Sequence, residues 1–247
     1  MKWDEVAAQY REKWIQQDIY REKFLPFKRT VHYMEKENLI KVANTILLNT
    51  QRNDVLSVLD IGCGDATMSV FLLNLLEKEI ATYVGIDPNT EAIKTANEKL
   101  KKLYPNVQLI NSYFDYSEID MSHVNLVLSL HSIYGLDQRT LMAIINGMHD
   151  SATMLMLACS SKGLFCSGSN SLRYKLNSAE RIEDFLIRSS VNFESISLPE
   201  FDFFSSTKVN NALAAYLNIP IKFIGNRPEI EKLIIVQGRA QSHHAVK

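Results

Sequence analysis

Three segments hold residues whose types and spacing could do chemistry. The first is Val58-Leu59-Asp60-Ile61-Gly62-Cys63-Gly64-Asp65-Ala66, where an apolar run ends in two glycines one residue apart and a helical pattern follows. Glycine tolerates backbone dihedrals and close approaches that other residues do not. A turn of this kind at the carboxyl end of a strand is where open α/β sheets hold ligands. The second is Val84-Gly85-Ile86-Asp87-Pro88. An acid ending that strand can accept hydrogen bonds from both ribose hydroxyls of an adenosine-containing ligand. Nicotinamide enzymes use the same device, so Asp87 alone selects no cofactor. The third is Ser129-Leu130-His131-Ser132-Ile133-Tyr134, which follows a later strand and offers His131 as a proton acceptor.

The first loop discriminates between ligands. A dinucleotide fingerprint requires Gly-x-Gly-x-x-Gly, whereas here Gly62 and Gly64 are followed by Thr67. Asp60 stands two residues before the first glycine. Its carboxylate suits a ligand with a cationic amino-acid end and would repel a pyrophosphate. Cys63 lies in this loop, but no base stands beside it in the sequence, and it reads as a small apolar filler. A fourth run, Glu200-Phe201-Asp202-Phe203-Phe204, alternates acids and rings. In extended form it would set acids on one face and Phe201 and Phe203 on the other. It reads either as a pocket wall, with Asp202 and Phe203 meeting a cationic amine, or as an edge strand with solvated acids.

The positioning elements read as alternating strands and helices. Trp3, Val6, Tyr10 and Trp14 recur at helical spacing, Pro26 interrupts, and a second helical stretch runs over residues 31–48. Strands are predicted over 55–61, 82–87, 107–110, 124–130 and 152–159, with helices over 68–76, 89–103 and 136–148 between them. Several strands are apolar on both faces, as in a parallel sheet covered by helices on both sides. Beyond Ser160 the alternation weakens into a loop rich in Ser, Gly and Asn. A helix over 178–188 with Ser178 as N-cap, a strand over 191–198 and a last strand over 232–237 complete the pattern. Lys99, Lys101 and Lys102 read as a solvated helix end.

The segment from Val55 to Cys159 resembles the class I S-adenosylmethionine-dependent methyltransferases. The resemblance rests on Asp60-Ile61-Gly62-Cys63-Gly64, on Gly85-Ile86-Asp87-Pro88 and on the fourth strand at the expected separations. It implies S-adenosyl-L-methionine as cofactor. The loop of Asp60, Gly62 and Gly64 would approach its amino-acid part, and Asp87, with Pro88 behind it, would hold the ribose. Ile110-Asn111-Ser112-Tyr113 would lie against the adenine, where many members carry an acid and this chain has Ser112. Ala66 replaces a third glycine common in the family loop. The segment from Ser129 and Leu130 to Tyr134 would run beneath the reactive methyl group. Neither Asn-Pro-Pro-Tyr nor Asp-Pro-Pro-Tyr, the mark of methylation on nucleobase or glutamine amide nitrogen, occurs. The layout of most of the chain is similar to histamine N-methyltransferase. That likeness implies a small amine substrate, His131 facing it, and a cover around His32 and Tyr33; Tyr134 reads either as a core aromatic or as a pocket wall. The acidic contact to the amine in that family has no clear match here.

Composition narrows the setting. Of 247 residues, 46% are apolar and 22% charged, which is ordinary globular composition. The net charge of -1 disfavours a generally basic nucleic-acid binder. Three cysteines (Cys63, Cys159 and Cys166) form no Cys-x-x-Cys and suggest neither a disulfide framework nor a zinc site. No apolar run approaches the ~18–20 residues of a membrane span. The polar, acidic N-terminus is unlike a signal peptide, and the expected location is a reducing cytoplasm.

The expectation is therefore an α/β chain: a Rossmann-like, seven-stranded, mostly parallel sheet with helices on both faces. Residues 1–50 would form an N-terminal helical cover, and residues 51–240 the cofactor-binding domain with a substrate-side insertion around 199–226. The expected activity is methyl transfer to a small molecule at an amine nitrogen, with His131 as the catalytic group and no metal. Partners would be the small-molecule substrate, with neither nucleic acid nor membrane, in a monomer or homodimer. Alternatives are an O-methyltransferase for a carboxylate or phenol, a protein or RNA methyltransferase, a non-catalytic cofactor-binding subunit and, last, a nicotinamide oxidoreductase.

Overall fold

The computed structural model describes residues 2–15, 25–50, 54–114, 119–163, 177–200 and 230–238, with 13–15 and 25–36 as backbone only. Two helices come first, α1 (Trp3–Ile15) and α2 (Leu25–Asn49). Pro26 lies in the first turn of α2, where its missing N–H breaks no helical bond. The helix therefore starts before Pro26, and the interruption expected there does not occur. Then β1 (Val55–Ile61), α3 (Thr67–Asn74), β2 (Glu79–Ile86), α4 (Thr90–Leu100) and β3 (Val107–Ile110) alternate. They are followed by β4 (Leu126–Leu130), a 3₁₀ turn over Ile133–Gly135, α5 (Gln138–Gly147) and β5 (Thr153–Cys159). The described chain ends with α6 (Ala179–Arg188), β6 (Phe193–Ser197) and β7 (Glu231–Gln237).

The seven strands form one sheet in the order β3-β2-β1-β4-β5-β7-β6. The pairs β1–β2, β1–β4, β2–β3 and β4–β5 are parallel. Only β7 runs against its neighbours, lying antiparallel to both β5 and β6. Strand order reverses between β1 and β4, which opens a crevice at their carboxyl ends.

Alternation along the strands divides the core into two layers. Leu59, Ile61, Val127, Met154, Met156, Ile234 and Val236 point to one face, under Trp3 and Ala7 of α1, Leu141, Ile144 and Ile145 of α5, and Ile182 and Leu186 of α6. Leu56, Val58, Leu126, Leu128, Leu155, Leu157, Leu233 and Ile235 point to the other, under Leu39, Val42, Ala43 and Ile46 of α2, Leu72 and Leu73 of α3, and Ala96 and Leu100 of α4. The two N-terminal helices thus pack on opposite faces of the sheet. Among the described residues no helix is long and apolar enough to cross a membrane.

Candidate functional site at the carboxyl ends of β1, β2 and β4

The glycine loop is folded by its neighbours. The amides of Gly62 and Cys63 both donate to the Ile86 carbonyl, at 2.7 and 3.0 Å, so the loop turns across the end of β2. Gly62 has φ 68°, and a Cβ there would stand 2.2 Å from that of Ser132. The Ser132 hydroxyl donates to the Ile61 carbonyl, and it lies 2.8 Å from Ser129 Oγ. Glycine is required here because the segment after β4 passes directly against the loop. Gly64 (φ 55°) and Ala66 (φ 58°) are also left-handed.

Lys99 closes the far side of the loop. From α4 its ammonium donates to the Asp65 carbonyl (2.9 Å), Asp65 Oδ2 (2.9 Å) and Thr67 Oγ1 (2.6 Å). Asp65 also accepts from Thr67 N. Burial pushes the Asp65 carboxyl up, but Lys99 and Thr67 more than offset it and hold it below the usual carboxylate range. Lys99 is therefore a loop clamp and not part of a solvated helix end.

Two carboxylates face this region. Asp60 is buried, and its Oδ2 accepts from the Ser69 and Tyr83 hydroxyls. Burial raises its pKa to about 6 against the lowering effect of those two hydroxyls, and the charge of Asp87 adds to the rise. Asp87 accepts from Gly64 N (2.9 Å) and Asn89 N (2.8 Å). Burial raises it to about 6 as well, partly offset by those two amides. Among the described residues neither carboxylate has a cationic partner, so the arrangement suits a ligand that carries positive charge. Burial, followed by the charges of Asp60 and Asp87, pushes the Cys63 thiol well up, which agrees with its reading as an inert filler.

The predicted adenine-side segment lies beside Asp87. Asn111 Nδ2 donates to the Asp87 carbonyl at 3.0 Å. Ser112 Oγ donates to the Tyr113 carbonyl, and the exposed Tyr113 sends its hydroxyl to the Arg11 carbonyl of α1, 3.1 Å away. Pro88 is half-buried between Asp87 and Asn89, the N-cap of α4. Ser129 and Leu130 are both buried at the end of β4. The segment that follows them, His131–Ser132, is partly accessible.

His131 is the turning point after β4, with φ 59°. Its amide donates to the Leu157 carbonyl, and its own carbonyl accepts from Tyr10 OH at 3.1 Å. The ring is held on both sides. Nε2 lies 2.7 Å from Glu231 Oε1, and Nδ1 lies 3.3 Å from Tyr134 OH and 3.8 Å from Cys159 Sγ. Tyr134 is buried, accepts from Cys159 N at 2.7 Å, and meets the Tyr10 ring edge-on. Helix α1 grips this segment further: Trp3 Nε1 donates to the Leu136 carbonyl (2.8 Å) and Arg11 Nη1 to the Gly135 carbonyl (2.9 Å).

The structure thus gathers Asp60, Gly62, Gly64, Asp87, Pro88, Ser112 and Tyr113 around one end of the sheet, with His131 and Tyr134 across the crevice. Asp202, Phe203 and the rest of the 201–204 run, and the side chain of Tyr33, lie outside the described residues. Sequence reasoning missed Glu231, Asn38 and Lys99. The one signal for Glu231 was an acid opening an otherwise apolar strand. Among the described residues no group of three His, Cys, Asp or Glu side chains could hold a metal ion.

Comparison with known proteins agrees with this geometry. Residues 58–152 match the model of a methyltransferase domain. No curated protein matches the chain. Among solved structures it is similar to the plantazolicin methyltransferase BpumL in complex with a triazolic desmethylPZN analog and SAH, at 14% identity, TM-score 0.59, with 96% of this chain and 98% of that one covered. It is also similar to precorrin-6y C5,15-methyltransferase from Geobacter metallireducens (14%, TM-score 0.51, 80% and 88% covered). A third similar structure is the [4+2]-cyclase SpnF (14%, TM-score 0.55, 81% and 82% covered). At these identities the likeness establishes the fold, which here hosts more than one chemistry.

Proposed function

We propose that the chain, whose residues 58–152 match the model of a methyltransferase domain, is a class I S-adenosylmethionine-dependent methyltransferase that methylates an amine nitrogen of a small molecule, with His131 receiving the proton. The donor set fits the cofactor. Asp60 and Asp87 are carboxylates without a cation among the described residues. S-adenosylmethionine brings a sulfonium, an ammonium and two ribose hydroxyls. In this reading Asp87 takes the hydroxyls, the Gly62–Gly64 loop takes the amino-acid end beside Asp60, and Ser112 and Tyr113 flank the adenine.

When bound, the cofactor supplies a methyl group already activated for displacement. The chain's residues then align nucleophile, methyl and sulfur, and such alignment can lower a barrier by ~7–11 kcal/mol. An amine attacks through its lone pair and must shed an N–H proton as the new bond forms. The observation that carries the reading is His131: its side chain is 20% exposed, while the carboxylate it meets at 2.7 Å is buried. A histidine backed by a buried carboxylate can accept a proton at its other nitrogen. That nitrogen lies 3.3 Å from the hydroxyl of Tyr134, which Cys159 N holds at 2.7 Å, so in this reading an acceptor's N–H reaches Nδ1 by taking the place of this contact or passes its proton through that hydroxyl.

The test has two parts. Calorimetric titration with S-adenosylmethionine and S-adenosylhomocysteine, with NAD as control, should show micromolar binding of the first two that is lost in Asp87→Ala. Release of S-adenosylhomocysteine should then be followed over panels of amines, phenols and carboxylates. The panels include a triazolic desmethylPZN analog, which the neighbour spanning 96% of this chain binds. Turnover confined to amines and lost in His131→Ala supports the proposal. Turnover confined to phenols or carboxylates replaces it with the O-methyl reading.

A further inference from the structure

A buried carboxylate stands behind the histidine. Glu231 opens β7 and is 2% exposed, in register with Cys159 at the end of β5. Its Oε1 lies 2.7 Å from His131 Nε2, and its Oε2 accepts from Asn38 Nδ2 at 2.9 Å. Asn38 is itself 2% exposed on α2. Three distant segments therefore converge on one polar chain, with Leu39 next to Asn38 in sequence and Leu233 on the same face of β7 as Glu231 both in the apolar layer.

A carboxylate at such a site costs stability unless its oxygens are matched, and an apolar residue there would often serve the fold as well or better. His131 adds a second such feature. It keeps a left-handed backbone (φ 59°) that non-glycine residues rarely adopt. Strain of this kind persists where the surroundings hold it, and it concentrates at working sites.

A carboxylate only accepts, so Nε2 must donate and therefore carries the proton. Nδ1 is then the lone-pair nitrogen, facing Tyr134 OH. We propose that Glu231, braced by Asn38, is a positioning residue that fixes His131 as the Nε2–H tautomer and so reserves Nδ1 for the proton leaving the methyl acceptor. Glu231 touches neither the acceptor nor the cofactor in this scheme and acts through His131 alone. As the acceptor nitrogen forms its bond to the methyl carbon, the methyl–sulfur bond breaks, the N–H proton passes to Nδ1, and the imidazolium is held by the Glu231 carboxylate. The proposal rests on His131 being the base of the preceding section.

The experiment separates the two ideas. Full-length protein is labelled with 15N-histidine, and the His131 resonances are assigned by comparison with His131→Gln. The nitrogen shifts of wild type should report Nε2–H. Glu231→Ala should convert this to a mixture with Nδ1–H, and Asn38→Ala should do so in part. S-adenosylmethionine affinity by calorimetry should stay within about threefold of wild type, which shows the cofactor half intact. On the acceptor found by the panel, the isosteric Glu231→Gln should lower kcat by about 10²-fold, the scale of one acid–base group, with KM within about threefold. Should Glu231→Ala not fold, Asn38→Ala and Glu231→Gln carry both readouts. An unchanged tautomer in the Glu231 and Asn38 variants, or full kcat in Glu231→Gln, overturns the positioning role. Full activity of His131→Gln, with the tautomer still dependent on Glu231, instead overturns His131 as the base.

Discussion

Replacing Asp60 by Asn should change how stability depends on pH. The Asp60 carboxyl is buried, and its pKa rises from 3.8 to about 6, chiefly through desolvation. A carboxyl raised in the folded state binds more protons there than in the unfolded chain between these two values. Stability therefore falls as pH climbs through that window, with the penalty absent below the unfolded pKa and complete above the folded one. A rise of about 2 units corresponds to about 3 kcal/mol at 1.36 kcal/mol per unit. Asp60→Asn removes this titration while keeping a side chain that Ser69 and Tyr83 can still bond. Urea unfolding followed by tryptophan fluorescence at pH 4.5, 5.5, 6.5 and 7.5 should show wild type losing about 2 kcal/mol relative to Asp60→Asn across the series, since about 1 kcal/mol of the penalty is already present at pH 4.5. A saturating cationic cofactor should flatten the wild-type curve, and its binding at pH 6 should release protons, measurable by calorimetry in buffers of different ionisation enthalpy. A wild-type-minus-variant difference that does not change with pH would refute the reasoning, because Asp60 would then titrate as an ordinary surface acid.

Three further outcomes follow from the packing. Lys99→Met should weaken S-adenosylmethionine binding about fivefold, the scale of ~1 kcal/mol for a partly exposed ion pair, and leave kcat at saturation unchanged; loss of kcat without loss of affinity would count against the loop-clamp role. Gly62→Ala should cost at least about 2 kcal/mol, combining a left-handed alanine with a Cβ placed 2.2 Å from Ser132 Cβ, and should abolish cofactor binding in calorimetry. Trp3 is 4% exposed, packs its ring at a tilt against Phe185 and bonds the Leu136 carbonyl, so Trp3→Ala should cost about 3–5 kcal/mol in thermal or urea unfolding; an unchanged melting temperature would mean that α1 is detached in solution.

Much of the arrangement around the glycine loop was legible because its determinants are local. A strand, a turn and a helix start lie within a few residues of each other at Asp60–Thr67. Asp87 ends the very next strand, so chain order alone brings both acids to one edge of a parallel sheet. Helix and strand periods were equally readable, since each apolar stripe is written in one continuous segment. The start of α2 was misread because a proline in a first helical turn and a proline that breaks a helix look alike without the backbone.

Other features depend on chain reversals that no local pattern records. Lys99 looks like any lysine near a helix end until α4 packs against the loop and its ammonium reaches Asp65 and Thr67. Gly62 looks like a ligand-loop glycine, but it is also the only residue type that lets Ser132 pass at that distance. The amino-acid sequence by itself determined the sheet, the glycine loop, Asp87 and the presence of a histidine after β4, because short-range spacing and hydrophobic alternation encode them. The tertiary structure alone decided what that histidine touches. Glu231 is 100 residues away in sequence and Asn38 is 93. Glu231 meets His131, and Asn38 meets Glu231, because β7 inserts antiparallel beside β5 and α2 packs over its end, a pairing fixed by the summed burial of two whole layers and by no motif.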